Sequence, residues 1–238
     1  MFNYPGSKYY LARRYPPPFY DTIIEPFAGS AQYAFRYSHK RVILVDLRKD
    51  VCALWWRLQR STPEEILALP TFSDSELIIH DDPAFRLLMM LGTHPGDFNH
   101  NRSGTGHHRQ RWDNKRKKIA DGLCLIRHWE IINDDYSSVA NIRATWFVDP
   151  PYQFGKSYDC PRLNYYDLSQ WCLQRRGQII VCEQYGADWL PFQNLHKPDL
   201  SLDTKYLMGR SHEVFFHRHR FRRNQGDISP VYGHGRYW

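Results

Sequence analysis

Asp21-Thr-Ile-Ile-Glu-Pro-Phe-Ala-Gly-Ser-Ala31 and, a short step later, Arg41-Val-Ile-Leu-Val-Asp-Leu47 decide the fold class. Each opens as an apolar, β-branched run of strand length. The first passes directly into the small-residue turn Ala28–Ala31, after which AQYAFRYS reads as the start of a helix. The second ends at Asp46 and leads into the helical stretch KDVCALWWRLQ. Buried strands alternating with helices predict a β-α-β-α unit, and so an α/β fold on a mostly parallel sheet covered on both faces.

The same pattern resumes later in the chain. HWEIIN (128–133), ATWFV (144–148) and QIIVC (178–182) read as strands, and Tyr165 to Arg176 as a helix stopped by Gly177. Lys205–Met208 with Glu213–His219 reads as a closing antiparallel hairpin. Residues 61–128 break the alternation. They hold one apolar segment, AFRLLMMLG (84–92), readable as a buried helix end or a strand. A polar, glycine-rich stretch and a basic helical stretch to about Leu125 follow. This composition predicts a small inserted lobe with an exposed loop, set into a body formed by residues 1–60 and 129–238.

Composition narrows the class. A length of 238 residues suits one domain with an insertion. With 42% hydrophobic and 24% charged residues, disordered and collagen-like readings fail. No apolar run approaches the ~20 residues of a membrane-spanning helix, so no membrane partner is expected. Met1 to Tyr10 lacks the apolar core of a signal peptide, so the expected location is cytoplasmic. Five cysteines form no CxxC pair and read as reduced thiols. His107-His108, His217-x-His219 and Cys124…His128 assemble no four-ligand spacing, so no metal is expected.

The net charge of +7 is local rather than general. Residues 102–118 carry seven cations (Arg102, Arg109, Arg111, Lys115, Arg116, Lys117 and Lys118) against Asp113 alone. Residues 205–223 carry six cations against Glu213. With 16% aromatic residues, such patches suit nucleic acid, where phosphates need cations and unstacked bases need π faces.

Three segments carry chemistry. Asn3-Tyr-Pro-Gly-Ser-Lys8 supplies a turn and a cation. Glu25-Pro-Phe-Ala-Gly-Ser-Ala31 is a strand-to-helix turn whose small residues let a ligand approach the backbone. It is followed at the end of the next strand by Asp46, placed to accept both hydroxyls of a ribose. Asp149-Pro-Pro-Tyr152 follows a buried strand. Its prolines have no N–H to donate while their carbonyls accept, and beside an acceptor-only carboxylate this makes a site for N–H groups. Tyr152 adds a stacking face, so an exocyclic amino group on a flat base fits all three features.

In this order, YPGSK, EPFAGSA, Asp46, an insertion, DPPY and SHEVFF (211–216), the chain resembles the Dam-type DNA adenine-N6 methyltransferases over nearly its whole length. The resemblance implies a Rossmann-like methyltransferase fold whose sheet closes with the antiparallel hairpin. It implies S-adenosylmethionine as cofactor, and a target base flipped from double-stranded DNA. It places Tyr4 and Lys8 on the cofactor, Lys8 near the methionine carboxylate. Phe27, Ala28 and Gly29 would lie beside the methionine portion, Asp46 on the ribose, and Glu130 and Ile131 against the adenine ring. Asp149, Pro150 and Tyr152 would receive the base. Residues 61–128 would be the target-recognition region, with Arg102, Arg109, Arg111, Lys115 and Lys117 on DNA and the chain a monomer or weak dimer. Bacterial or phage roles in restriction-modification are the expected setting.

Departures are Ser7 for a second Gly, Ala31 for the last Gly of the loop, and IVCE (180–183) without the usual Ser-Asn. Asp97-Phe-Asn99 and Gly104 match the family's recognition loop only loosely. Other acceptors remain open, cytosine N4 or an RNA base, as does a non-catalytic DNA-binding subunit on the same fold.

Overall fold

Parallel pairing in the computed structural model begins with the two diagnostic runs. β1 (Thr22–Glu25) and β2 (Arg41–Asp46) lie side by side, Ile23 opposite Val42 and Glu25 opposite Leu44. The structure describes residues 1–72, 77–93, 107–155, 163–195 and 213–219. β3 (Glu130–Asn133), β4 (Ala144–Val148), β5 (Gly177–Gln184), β6 (Gln193–Asn194) and β7 (Glu213–His219) complete a seven-stranded sheet of order β3-β2-β1-β4-β5-β7-β6. β7 runs antiparallel to both its neighbours, and the pairs among β1 to β5 are all parallel. The chain is thus α/β with a mostly parallel mixed sheet. Its first five strands follow the 3-2-1-4-5 order of dinucleotide-binding sheets, with a switch point between β1 and β4.

Alternate residues of each strand feed two separate cores. Ile23, Val42, Leu44, Phe147 and Ile180 face one side. There they meet α1 (Gln32–Arg36), α2 (Lys49–Arg60), α3 (Pro63–Leu67), α4 (Pro83–Thr93) and α5 (His107–Gly122). Ile24, Ile43, Val45, Trp146, Ile179 and Val181 face the other, against α6 (Tyr165–Gln174). The crossing from β3 to β4 lies on this second side with Tyr136, Val139 and Ile142, in place of a full helix. Tyr33 of α1 stacks on Phe147 of β4 at 4.1 Å, fixing the first layer to the sheet.

The described helices of the inserted segment share the core of the sheet. AFRLLMMLG forms α4, and its Phe85, Leu88, Met89 and Leu91 join the same core as the sheet residues. Trp112 of α5 is fully buried, donates its indole N–H to the Pro70 carbonyl at 2.9 Å, and packs flat against Gly92. Only Gly fits at 92, because a Cβ there would sit 2.3 Å from the Trp112 ring. Polarity along 93–112 hid this packing, since α5 buries a few large side chains between many cations.

One further reading needs correction, and another falls outside the described residues. Gly177 does not end a helix: it opens β5 with φ +110°, and a Cβ would meet the Ala144 carbonyl at 2.2 Å, so the approach of β4 requires glycine. The described partner of β7 on its outer side is β6, whereas residues 205–208 lie outside the described residues. Among the described residues no helix is long and apolar enough to cross a membrane. Cys52, Cys124, Cys172 and Cys182 are free thiols, and Cys160 lies outside the described residues.

Trp112→Ala should cost ~3–5 kcal/mol. If α4 and α5 share the core of the sheet, thermal unfolding of this variant stays a single transition at lower temperature. Two resolved transitions in calorimetry would show an independent lobe instead.

Candidate active site

Carboxyl ends of β1, β2 and β4 bring the three chemistry-bearing segments together. Tyr4-Pro5-Gly6-Ser7 closes a turn, with the Ser7 N–H donating to the Tyr4 carbonyl at 2.9 Å and Gly6 at φ +75°. The turn docks on the loop after β1. The Ser30 hydroxyl donates to Ser7 Oγ at 3.1 Å, and the Tyr4 ring covers Gly29 so closely that a Cβ there would lie 3.0 Å from it. Ser7 and Ala31 therefore behave differently as departures. Ser7 supplies a contact, while Ala31 adopts φ +45°, a left-handed conformation that costs a non-glycine residue of order 1 kcal/mol.

The Gly29 loop is fixed from two sides. Its N–H donates to Asp46 Oδ2 at 2.9 Å, and its carbonyl accepts from the Trp55 indole at 2.9 Å. Trp55 is buried in the core, but the indole N–H also gives it a part in the site. The other Asp46 oxygen accepts from the Arg48 N–H at 2.9 Å. Burial raises the Asp46 carboxyl above its ordinary range, and these backbone donors oppose the rise. Each oxygen keeps a second lone pair for a diol.

Phe27 lies on the second face, stacked on Tyr136 at 5.2 Å. Ala28 is buried, its N–H bonded to the Val45 carbonyl at 3.0 Å. Glu130 and Ile131 do not join this group. Glu130 opens β3, is exposed, and pairs with Arg41 at 3.4 Å. Ile131 packs against the first core, and its carbonyl accepts from Trp56. The carboxyl end of β3 is instead Asn133, whose amide donates to the Asp46 carbonyl at 2.9 Å.

At the end of β4, Asp149 Oδ1 lies 2.8 Å from Lys8 Nζ, whose side chain is 4% exposed. Lys8 also donates to the Gly6 carbonyl at 2.8 Å and lies 3.9 Å from Glu213 Oε1. Lys8 is thus engaged by the DPPY carboxylate, where the resemblance expects a methionine carboxylate. Asp149 keeps 19% side-chain exposure. Burial pushes its carboxyl up and the Lys8 ammonium pulls it down. For Lys8, burial is outweighed by Asp149 and Glu213, and its ammonium is held above the ordinary lysine range.

Pro150 is buried, and the Pro151 carbonyl accepts from the Tyr165 hydroxyl at 2.8 Å. The Tyr152 ring lies 4.9 Å below Lys8 Nζ, and its hydroxyl donates to Glu213 Oε2 at 2.7 Å. Tyr15 donates to the same oxygen at 3.1 Å. Sequence reasoning assigned no role to Glu213 or Tyr15. The acid opening SHEVFF was a visible signal, whereas Tyr15 had none, its partner being 198 residues away. Glu183, in the IVCE run, accepts from the Gln153 N–H at 3.1 Å and the Trp189 indole at 2.9 Å. It braces the segment after DPPY.

The expected DNA-binding cations are divided. Arg102 lies outside the described residues, as does the side chain of Arg109 in α5. Arg111 and Lys117 are exposed on α5. Lys115 is half-buried and donates to Asn3 Oδ1, so it ties α5 to the YPGSK turn. Burial and the neighbouring Lys118 and Arg111 lower its ammonium to about 8. Among the described residues no group of three or more His, Cys, Asp or Glu side chains could hold a metal ion.

Glu25, fully buried at the end of β1, accepts from the Ala34 N–H at 2.6 Å. Burial pushes its carboxyl up to about 8, Asp149 adding to the rise. Between pH 5 and 8 the folded state then holds a proton that the unfolded state has lost, so stability falls as pH rises through this window. Glu25→Gln should flatten that fall, as urea denaturation at pH 5 and pH 8 will measure. An unchanged difference between the two would place the proton elsewhere. No family model and no curated protein matches the chain.

Proposed function

We propose that the chain transfers a methyl group from S-adenosylmethionine to the N6 amino group of adenine in DNA, on a Rossmann-like methyltransferase fold. One observation carries the reading. Three separate sequence segments, each suited to one part of that reaction, meet at a single sheet edge through Asp46–Gly29, Ser30–Ser7 and Lys8–Asp149 contacts of 2.9, 3.1 and 2.8 Å. A switch point is where open α/β sheets bind ligands.

The residues present fit the cofactor. Asp46 has lone pairs left for a ribose diol, and the Gly29 backbone has no room for a Cβ beside Tyr4. Asp46, Gly29, Ala28, Phe27 and Tyr4 would hold the molecule. When bound, S-adenosylmethionine supplies an electrophilic methyl group on a sulfonium, whose leaving group is a neutral thioether.

The rest falls to the chain's own residues. The N6 lone pair of adenine is delocalised into the ring. The open oxygen of Asp149 and the Pro150 carbonyl accept its two N–H groups, which localises the pair and aims it. Preorganised acceptors of this kind are worth roughly 3 kcal/mol each in a transition state, or ~10²-fold in rate. Lys8 favours the ionised form of Asp149 against the upward push of burial, and the proton leaving N6 is accepted at that carboxylate. Tyr152 provides the face on which the base stacks, worth ~1–3 kcal/mol against the few kcal/mol of extruding it from a duplex. Arg111 and Lys117 on α5 contact phosphate.

Duplex DNA incubated with methyl-labelled S-adenosylmethionine and digested to nucleosides should yield N6-methyldeoxyadenosine. Label on cytosine, or on none of the nucleosides, would overturn the assignment. Asp149→Ala should abolish transfer while cofactor affinity by calorimetry stays within about tenfold, or ~1.4 kcal/mol. Arg111→Ala should lower the salt dependence of DNA affinity by about one unit of slope. An unchanged slope would remove Arg111 from the interface.

A further inference from the structure

Two carboxylates, Asp149 and Glu213, share one ammonium and compete for one phenolic proton. Glu213 opens β7 opposite Gln184 of β5, and its carbonyl accepts from the Leu195 N–H at 3.2 Å, so its backbone is held on both sides. Its side chain is 8% exposed. Oε2 accepts from Tyr152 at 2.7 Å and from Tyr15 at 3.1 Å, and Oε1 faces Lys8 at 3.9 Å.

A tyrosine hydroxyl has a single proton to give. Tyr152 lies within reach of both carboxylates, since Asp149 also feels its hydroxyl. While Glu213 accepts that hydrogen bond, Lys8 is the donor left to Asp149 among the described residues. Were the proton given to Asp149, one acceptor meant for the base would be filled. The same bond fixes the Tyr152 ring, because its far end can no longer swing.

We infer that Glu213 is a positioning residue: by accepting the Tyr152 hydrogen bond and sharing Lys8, it leaves Asp149 open to the amino group of the incoming base. The inference rests on the methyl-transfer reading above. Glu213 touches no reacting atom and acts through Tyr152, Lys8 and Asp149.

Groups facing this cluster come from every neighbouring element. Lys8 and Tyr15 come from the N-terminal segment, Glu25 from β1, Asp149 and Tyr152 from the end of β4, and Cys182 from β5. Removing the negative charge of Glu213 lets Lys8 act on Asp149 alone. The Asp149 carboxyl must then titrate at lower pH.

The deciding experiment compares wild type, Glu213→Gln and Glu213→Asp by carbon-13 carboxylate titration of Asp149 and by methyl transfer to duplex DNA. In Glu213→Gln the Asp149 midpoint and the acid limb of kcat both move to lower pH. There kcat falls roughly tenfold, equivalent to ~1.4 kcal/mol, and KM for S-adenosylmethionine holds. Glu213→Asp returns the midpoint towards wild type. An unmoved Asp149 midpoint, or wild-type kcat with an unmoved acid limb, overturns the inference. If Glu213→Gln does not fold, Tyr152→Phe asks the same question with the ring retained. With no hydroxyl for Glu213 to hold, the untethered ring should raise KM for DNA, and an unchanged KM for DNA overturns the inference. A wild-type chain that methylates no DNA refutes the parent reading, while the Asp149 titration still decides whether Glu213 governs that carboxylate.

Discussion

An ammonium ion buried between two carboxylates, Lys8 with Asp149 and Glu213, is the constraint that the surrounding structure must meet. Stripping such ions of water costs several kcal/mol each, and their attraction repays it only when the remaining donors and acceptors are satisfied. Here the Gly6 carbonyl accepts a hydrogen bond from Lys8, and Tyr15 and Tyr152 both donate to Glu213. Glu25, another buried acid of the cluster, is pushed up to about 8, chiefly by burial. The turn Tyr4–Ser7, the Gly29 loop, the end of β4 and the start of β7 are all placed by these needs. A substitution at any of them disturbs the others.

The architecture was legible because its signals were local. ATWFV became β4 over the very residues named, and the two opening runs became β1 and β2 within a residue or two. Parallel strands buried on both faces write themselves as unbroken apolar runs, which periodicity detects without knowledge of neighbours. The packing of the insertion was not legible, because it rests on a few large residues among cations. Trp112 and Ile119 are buried on a helix that also carries Arg111, Lys117 and Lys118 at the surface. Charge counts describe the outer face of such a helix and say nothing of the inner one.

The candidate site was legible in its motifs and not in its partners. Lys8, Gly29, Asp46 and Asp149 stand where turns and strand ends predict ligand contact. That Lys8 reaches Asp149 is a tertiary fact, since the residues are far apart in sequence and only the switch point joins them. Basic patches proved equally dependent on context. Arg116 bonds the Leu67 carbonyl and Asp113, Lys115 bonds Asn3, and Arg218 caps the end of α6 through the Leu173 carbonyl. Cations that count alike in a net charge thus divide into those that hold the fold and those left facing solvent.

β7, the reversed strand, also imposes an order in time. Tyr15 and Lys8 are made first, and their acid partner Glu213 follows nearly two hundred residues later. At ~5–20 residues per second of synthesis, the interval is roughly 10–40 s. Throughout it the N-terminal turn can fold against the Gly29 loop, yet Lys8 has at most one of its two carboxylates. Among the described strands β7 is the last to arrive and closes the pocket, so a chain arrested before it carries YPGSK, EPFAGSA and DPPY but no Glu213 to complete the site.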